Sequence, residues 1–200
     1  MNSVNSVDTP APGVRDQIIE AADAHFSRYG YAKTTMSDLA RAIGFSKAYL
    51  YKFFDSKQAI GEAICSKTLL AQFTAIQAAV DAAATPHEKV RALLRTAVEQ
   101  SLAQFFNDRQ LYDIVAHSRA EGWTSSESHI AQVSALLTEI IQAGRESGAF
   151  ERKTPLDEVI GGIWISALPL ADPVLLQHNL DLVDAGLPAV TSLILRSLAP

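Results

Sequence analysis

TTMSDLARAIGFSKAYLYKFFDSKQAI, residues 34–60, reads as two short helices joined by a tight turn, with a third helix opening behind them. Thr35 is placed to cap the first helix. Its hydroxyl can accept from a free backbone N–H, and Asp38, three residues on, can reach back to close a capping box. Leu39 and Ile43 share one face of that helix, and Gly44 follows where the chain needs a left-handed residue without the cost of a Cβ. Ser46 caps the next helix, in which Leu50 and Phe54 lie four apart and pack toward Leu39 and Ile43. That register turns Lys47, Ala48, Tyr51 and Lys52 outward. Asp55, with Gln58 at the box position, is expected to cap the third helix.

A basic and aromatic outer face on the second of two such helices is the layout of a helix-turn-helix, whose second helix enters the DNA major groove by its N-terminal residues. That tip needs small or flexible groups. Ser46, Lys47 and Ala48 meet the need, while Tyr51 and Lys52, one turn later, are in reach of phosphates or base edges. Lys57 falls in the first turn of the third helix, where the macrodipole disfavours a cation and a DNA phosphate would reverse the sign. Two readings of Lys57 stand at this point, a phosphate ligand and a solvated surface lysine.

From residue 18 to residue 64 the chain resembles the DNA-binding domain of the tetracycline-repressor (TetR) family of bacterial regulators. The resemblance is carried by Phe26-Ser27-Arg28-Tyr29-Gly30-Tyr31, Thr34-Thr35, Asp38-Leu39-Ala40, Ala42-Ile43-Gly44-Phe45-Ser46-Lys47, Leu50-Tyr51, Phe53-Phe54 and Ser56-Lys57. It implies phosphate contacts at Thr35, Tyr51 and Lys57, and base-reading or groove-lining positions at Lys47, Ala48 and Lys52. Two positions depart from the family pattern. Ala48 stands where glycine is common, and Tyr49 where threonine or serine is common. A bulky Tyr49 can stack on sugar or touch a thymine methyl, so the operator sequence is not to be borrowed from a relative.

The 200 residues carry 48% apolar side chains and a net charge of −5, the composition of a globular chain. No uninterrupted apolar run approaches the roughly 20 residues of a membrane helix, and residues 1–13 lack the basic-then-apolar pattern of a secretion signal. These residues read as a disordered arm, and the location as cytoplasmic. Cys65 is the single cysteine, which excludes an internal disulfide. Charge is uneven: residues 1–67 hold eight basic and seven acidic side chains, residues 68–200 nine and fifteen. Residues 33–57 alone hold five basic and two acidic. DNA must then be held by this local patch, with a steep salt dependence, rather than by bulk attraction.

The remaining pattern is helical throughout, so the fold class is all-α: a three-helix DNA-binding domain over residues 14–62 and a larger helical domain over 63–200, about nine helices in all. A long Ala-rich helix runs from the third helix to a stop at Thr85-Pro86, Asn107-Asp108 breaks the next, and Ser126 or Ser128 caps the one after Trp123. Pro169 and Pro173 are expected to interrupt the apolar helix that begins near Leu156. The last two helices are apolar, and Gly161-Gly162 permits close approach, so the resemblance implies a homodimer through them.

In the larger domain Phe105, Tyr112, His117, Trp123 and Trp164 are candidates for the walls of a cavity taking a small, mainly apolar molecule, and equally for ordinary core. His117 and Glu121 stand four apart without a third ligand, and Ser125, Ser126, Ser128 and His129 lack a nucleophile elbow and an acid. No catalytic residue, metal or cofactor is therefore expected. The resemblance implies a ligand-responsive repressor of a palindromic operator on double-stranded DNA. The competing reading is a helical protein-interaction domain with a non-functional helix-turn-helix.

Overall fold

A computed structural model of the chain describes residues 13–200; the expected arm lies almost wholly outside the described residues. Within them every regular element is helical. The chain runs α1 (Val14–Tyr29), α2 (Met36–Ile43), α3 (Lys47–Leu50), α4 (Lys57–Asp81), α5 (Pro86–Asn107), α6 (Arg109–Ala120), α7 (Thr124–Glu146), α8 (Leu156–Ala171), α9 (Pro173–Leu176), a 3₁₀ turn (Leu180–Leu182) and α10 (Val183–Ser197). Among the described residues there are ten helices where about nine were expected, α9 being a single turn that Asp172 caps through the Val174 N–H. Two compact units divide between Ile60 and Gly61.

The first unit is built from local signals. Thr35 Oγ1 accepts from the Asp38 N–H at 3.2 Å while the Asp38 carboxylate accepts from the Thr35 N–H at 3.0 Å, closing the capping box. Gly44 ends α2 at φ +79°, a left-handed conformation that side chains avoid. Ser46 accepts from the Tyr49 N–H, which starts α3. Ile18, Ala22 and Phe26 of α1, Leu39 of α2, and Leu50 and Phe54 are buried, so the three helices close on one apolar centre. Ile43 is only half-buried. Thr35→Ala is expected to lower the stability of this unit by about 1 kcal/mol, read as a shift in urea midpoint, because α2 loses the acceptor for a free N–H.

Asp55 is not the cap of α4. Ser56 Oγ accepts from the Ala59 N–H at 3.0 Å, one residue later than expected, and Lys57 is the first helical residue. Both side chains are good caps; the shorter hydroxyl at position 56 sits at the register that α4 adopts.

In the second unit Ile76 and Val80 of α4, Val90, Leu93 and Leu94 of α5, Leu137 and Ile141 of α7, Phe150, Ile163 of α8 and Ile194 of α10 form one core. α4 ends at Asp81, short of the Thr85-Pro86 stop, and Thr85 instead opens α5 with its own capping box to Glu88. Neither Ser126 nor Ser128 caps α7. The helix starts at Thr124, and the Glu62 carboxylate of α4 accepts from the N–H groups of Thr124 and Ser125 at 3.1 and 3.0 Å. An anion at a helix N-terminus is favoured by both the free N–H groups and the dipole, whichever element supplies it. Pro169 lies inside α8 rather than ending it, and Pro173 opens α9. By length and mean hydropathy alone α4 would suffice to cross a bilayer, although Glu62 and Lys67 interrupt its apolar run. Here its Glu62 caps α7 and its inner face enters the core.

Candidate nucleic-acid interface and ligand cavity

Short as α3 is, its outer surface is ordered by aromatic contacts. Tyr49 packs edge-on between Phe45, at 4.9 Å between ring centroids, and Phe53, at 5.3 Å. The turns flanking α3 bring Phe45 and Phe53 to either side of Tyr49, and edge-to-face rings attract. Lys52 lies 5.6 Å over the Tyr49 ring and Lys47 5.8 Å over the Tyr51 ring. Lys47, Ala48, Tyr51 and Lys52 are exposed, as is the cap Ser46. A cation resting on an exposed ring keeps its charge outward while its stem loses freedom. Tyr49 itself is half-buried, so its ring supports the surface and presents only part of itself outward.

Lys57 is half-buried and is not a freely solvated surface lysine. Its ammonium donates to the Tyr31 carbonyl at 2.9 Å and sits 4.2 Å from the Tyr31 ring centroid. Partial burial lowers its pKa from the ordinary value. Thr35 is committed as well: its hydroxyl donates to Asp38 Oδ2 at 2.6 Å and its N–H donates to the same oxygen at 3.0 Å. These bonds, the side-chain one first, hold the Asp38 carboxyl below its usual pKa. A phosphate contact at Thr35 would therefore require one of its donors to leave Asp38.

The second unit holds a cavity of about 110 Å³, placed among α4, α5, α6, α7 and α8. Leu69, Val115, Ile130 and Leu168 give it apolar walls, and Trp164 presents its ring while its Nε1–H donates to Ser134 Oγ at 3.1 Å. Of the aromatic candidates only Trp164 lines it. Phe105 and Tyr112 pack on each other at 5.0 Å, and the buried Tyr112 hydroxyl donates to the Pro173 carbonyl at 2.5 Å, with burial raising its pKa to about 12. His117 is exposed and stacks edge-on at 5.4 Å against Trp123. Tyr112 and Trp123 are buried in the fold, while Phe105 and His117 pack on them from less buried positions.

The polar lining came from residues the sequence did not single out as ligand-binding: Gln72, Ser101, Gln104, Arg119, Ser126, His129 and Asp172. Gln72 Nε2 donates to Gln104 Oε1 at 3.1 Å, bridging α4 and α5. Arg119 Nε donates to the buried Asp172 carboxylate at 2.8 Å. Ser118 Oγ donates to the Val115 carbonyl, so in its 2.5 Å contact with Ser126 the Ser126 hydroxyl is the donor. The signal that could have found this set is a polar residue interrupting an apolar helix face, as Gln72 does between Leu69 and Ile76.

Burial lowers the His129 pKa below its ordinary 6.5, opposed in part by the Leu69 carbonyl, so the ring is neutral at pH 7. Its folded pKa lies below the unfolded value, so on acidification the unfolded chain takes up this proton first. Stability is then unaffected by His129 above pH 6.5 and falls as pH drops from there toward the folded pKa. A urea midpoint that falls between pH 7.5 and 5.5, with a smaller fall in His129→Gln, is the expected result.

Comparison with known proteins agrees with this arrangement. Residues 18–64 match the family described as bacterial regulatory proteins, tetR family, and residues 86–182 match the tetracyclin repressor-like C-terminal domain. Over 49 residues the chain is 45% identical to the biofilm operon icaADBC HTH-type negative transcriptional regulator IcaR of Staphylococcus aureus, a match covering 24% of this chain and 26% of IcaR. The chain thus aligns with about a quarter of that relative's length. It is 25% identical to the HTH-type transcriptional repressor KstR2 of Mycolicibacterium smegmatis, covering 90% of this chain and 94% of KstR2. Among solved structures, the transcriptional regulator FadR of Bacillus subtilis, in complex with stearoyl-CoA, superposes with a TM-score of 0.63 at 17% identity, over 92% of this chain and 97% of FadR. Both halves of the chain carry the family's domains in the family's order, and the chain belongs to the TetR family.

Proposed function

We propose that the chain is a sequence-specific DNA-binding transcriptional regulator, a cytoplasmic repressor that leaves a palindromic operator when a small, mainly apolar effector enters the second unit. The observation that carries this reading is the α3 surface, where Lys47, Tyr51 and Lys52 stand exposed around a supported Tyr49. The names of IcaR and KstR2, a negative regulator and a repressor, support the sign of the effect. Ser46, Ala48 and Tyr49 belong to the groove-facing set, with Thr35 and Lys57 as phosphate ligands once Asp38 and the Tyr31 carbonyl release them.

Two recognition helices read a palindrome about one DNA turn apart only in a dimer. Support for a dimer through α8 and α10 comes from their outer faces. Ile165 is 72% and Leu193 65% exposed, and a Cβ at Gly161 or Gly162 would meet nothing, so another backbone has room to approach. A groove between Val159, Gly162, Ile163, Leu193 and Ile194 runs along the same face. The effector acts by favouring one dimer geometry over another, and its effect is limited by its differential affinity for the two.

Selection of bound sequences from a random duplex pool, read at two salt concentrations, tests the reading. A palindromic motif with a steep salt slope is the expected result. A folded dimer that enriches no sequence would move the assignment to a protein-interaction domain.

A further inference from the structure

The charged groups on the cavity wall cancel. Arg119 and Asp172 are bonded to each other at 2.8 Å, and Asp172 also accepts from the Val174 N–H. Among the described residues no second cation lines the cavity. An anion entering it would lose its hydration and meet a guanidinium already neutralised, beside a buried carboxylate of its own sign.

Uncharged hydrogen bonding is what remains on offer. A single N–H···O bond between Gln72 and Gln104 leaves, within the described residues, one amide oxygen and one amide NH₂ of the pair unbonded, whichever way the two amides are turned. Ser126 has its proton on Ser118, and Trp164 has its N–H on Ser134. The Gln pair therefore offers an acceptor and a donor, and the Ser101 hydroxyl and the buried His129 Nδ1, which has no hydrogen-bond partner among the described residues, share the same wall. The volume of about 110 Å³ is of the order of the roughly 150 Å³ that encloses a benzene ring.

Taking the second unit as effector-binding, we propose that the cavity selects a small apolar molecule with an uncharged head that both donates and accepts a hydrogen bond, such as an amide or alcohol, held by Gln72 and Gln104, and that it rejects the carboxylate of the same shape. Benzamide and benzoate differ in little but this, and toluene supplies the ring without the head.

The test is direct titration of the full-length protein with each of the three at pH 7, followed by calorimetry or by ligand-observed NMR. Benzamide is expected to bind at least tenfold more tightly than benzoate. Gln104→Leu, checked for unchanged helicity, should bring benzamide down to the level of toluene, and Gln72→Leu should do the same if the first variant fails to fold. Equal or tighter binding of benzoate overturns the proposal, as does undiminished benzamide binding in a folded variant, or no binding of benzamide at millimolar concentration. Because binding is read without DNA, a benzamide preference that leaves operator affinity unchanged would uphold this selectivity and sink the effector reading alone.

Discussion

Phe150→Ala is expected to destabilise the second unit by about 3–5 kcal/mol. The ring is 1% exposed, meets the His87 ring edge-on at 4.9 Å, and belongs to the core shared by α4, α5, α7, α8 and α10. Its seat is made by Gly144 of α7, where an added Cβ would lie 2.0 Å from one ring carbon and 2.4 Å from the next. The Gly144 carbonyl also accepts from the N–H groups of Ala149 and Phe150 at 2.8 and 3.0 Å, which fixes the chain as it turns back. Gly144→Ala should therefore cost about 1–3 kcal/mol, as overpacking of a buried ring. With Phe150 already replaced by alanine the clash is gone, and the same substitution should stabilise by up to about 1 kcal/mol through helix propensity alone. Urea unfolding of the two single variants and the double variant measures this. A Gly144→Ala effect of the same sign in both backgrounds would show that the ring and the glycine are not in contact.

The second large effect is on DNA. Lys47→Ala with Lys52→Ala removes four ammonium groups from a dimer, and operator affinity should fall about 10³-fold at roughly 1 kcal/mol per contact. The slope of log K against log salt should become shallower by as much as about 4. Both lysines are exposed, so helicity and melting should be unchanged. The measurement is fluorescence anisotropy on the selected operator at several salt concentrations. An unaltered affinity and slope would place the DNA surface elsewhere or remove it.

The helix-turn-helix was legible because each of its parts is decided within four residues. Thr35 and Asp38 cap each other, Gly44 alone tolerates φ +79°, and Leu50 and Phe54 fall four apart. The same locality explains the error at α4, where Asp55 and Ser56 are both capable caps and the register chose Ser56. Long-range partners were not legible. The cap of α7 comes from Glu62, and nothing near Ser126 in the sequence reveals that its hydroxyl is already bonded to Ser118. The polar lining of the cavity was not legible for a related reason. Aromatic residues drew attention, yet Phe105 and Tyr112 satisfy each other, and the cavity-lining polar side chains are spread over five segments of chain. Pro169 inside α8 shows the limit of a breaker rule: packing of a largely apolar helix tolerates the lost N–H.

The placement of Trp164 gives the protein an optical label of its own. Trp123 and Trp164 are its only tryptophans, and both lie in the second unit. Trp164 forms part of the cavity wall with its indole N–H bonded to Ser134, so a ligand that displaces water or presses on the ring changes its emission. Trp123→Phe would leave one emitter, silent toward DNA contacts made by the tyrosines of the first unit, and its wavelength would report occupancy of the cavity in the presence of an operator.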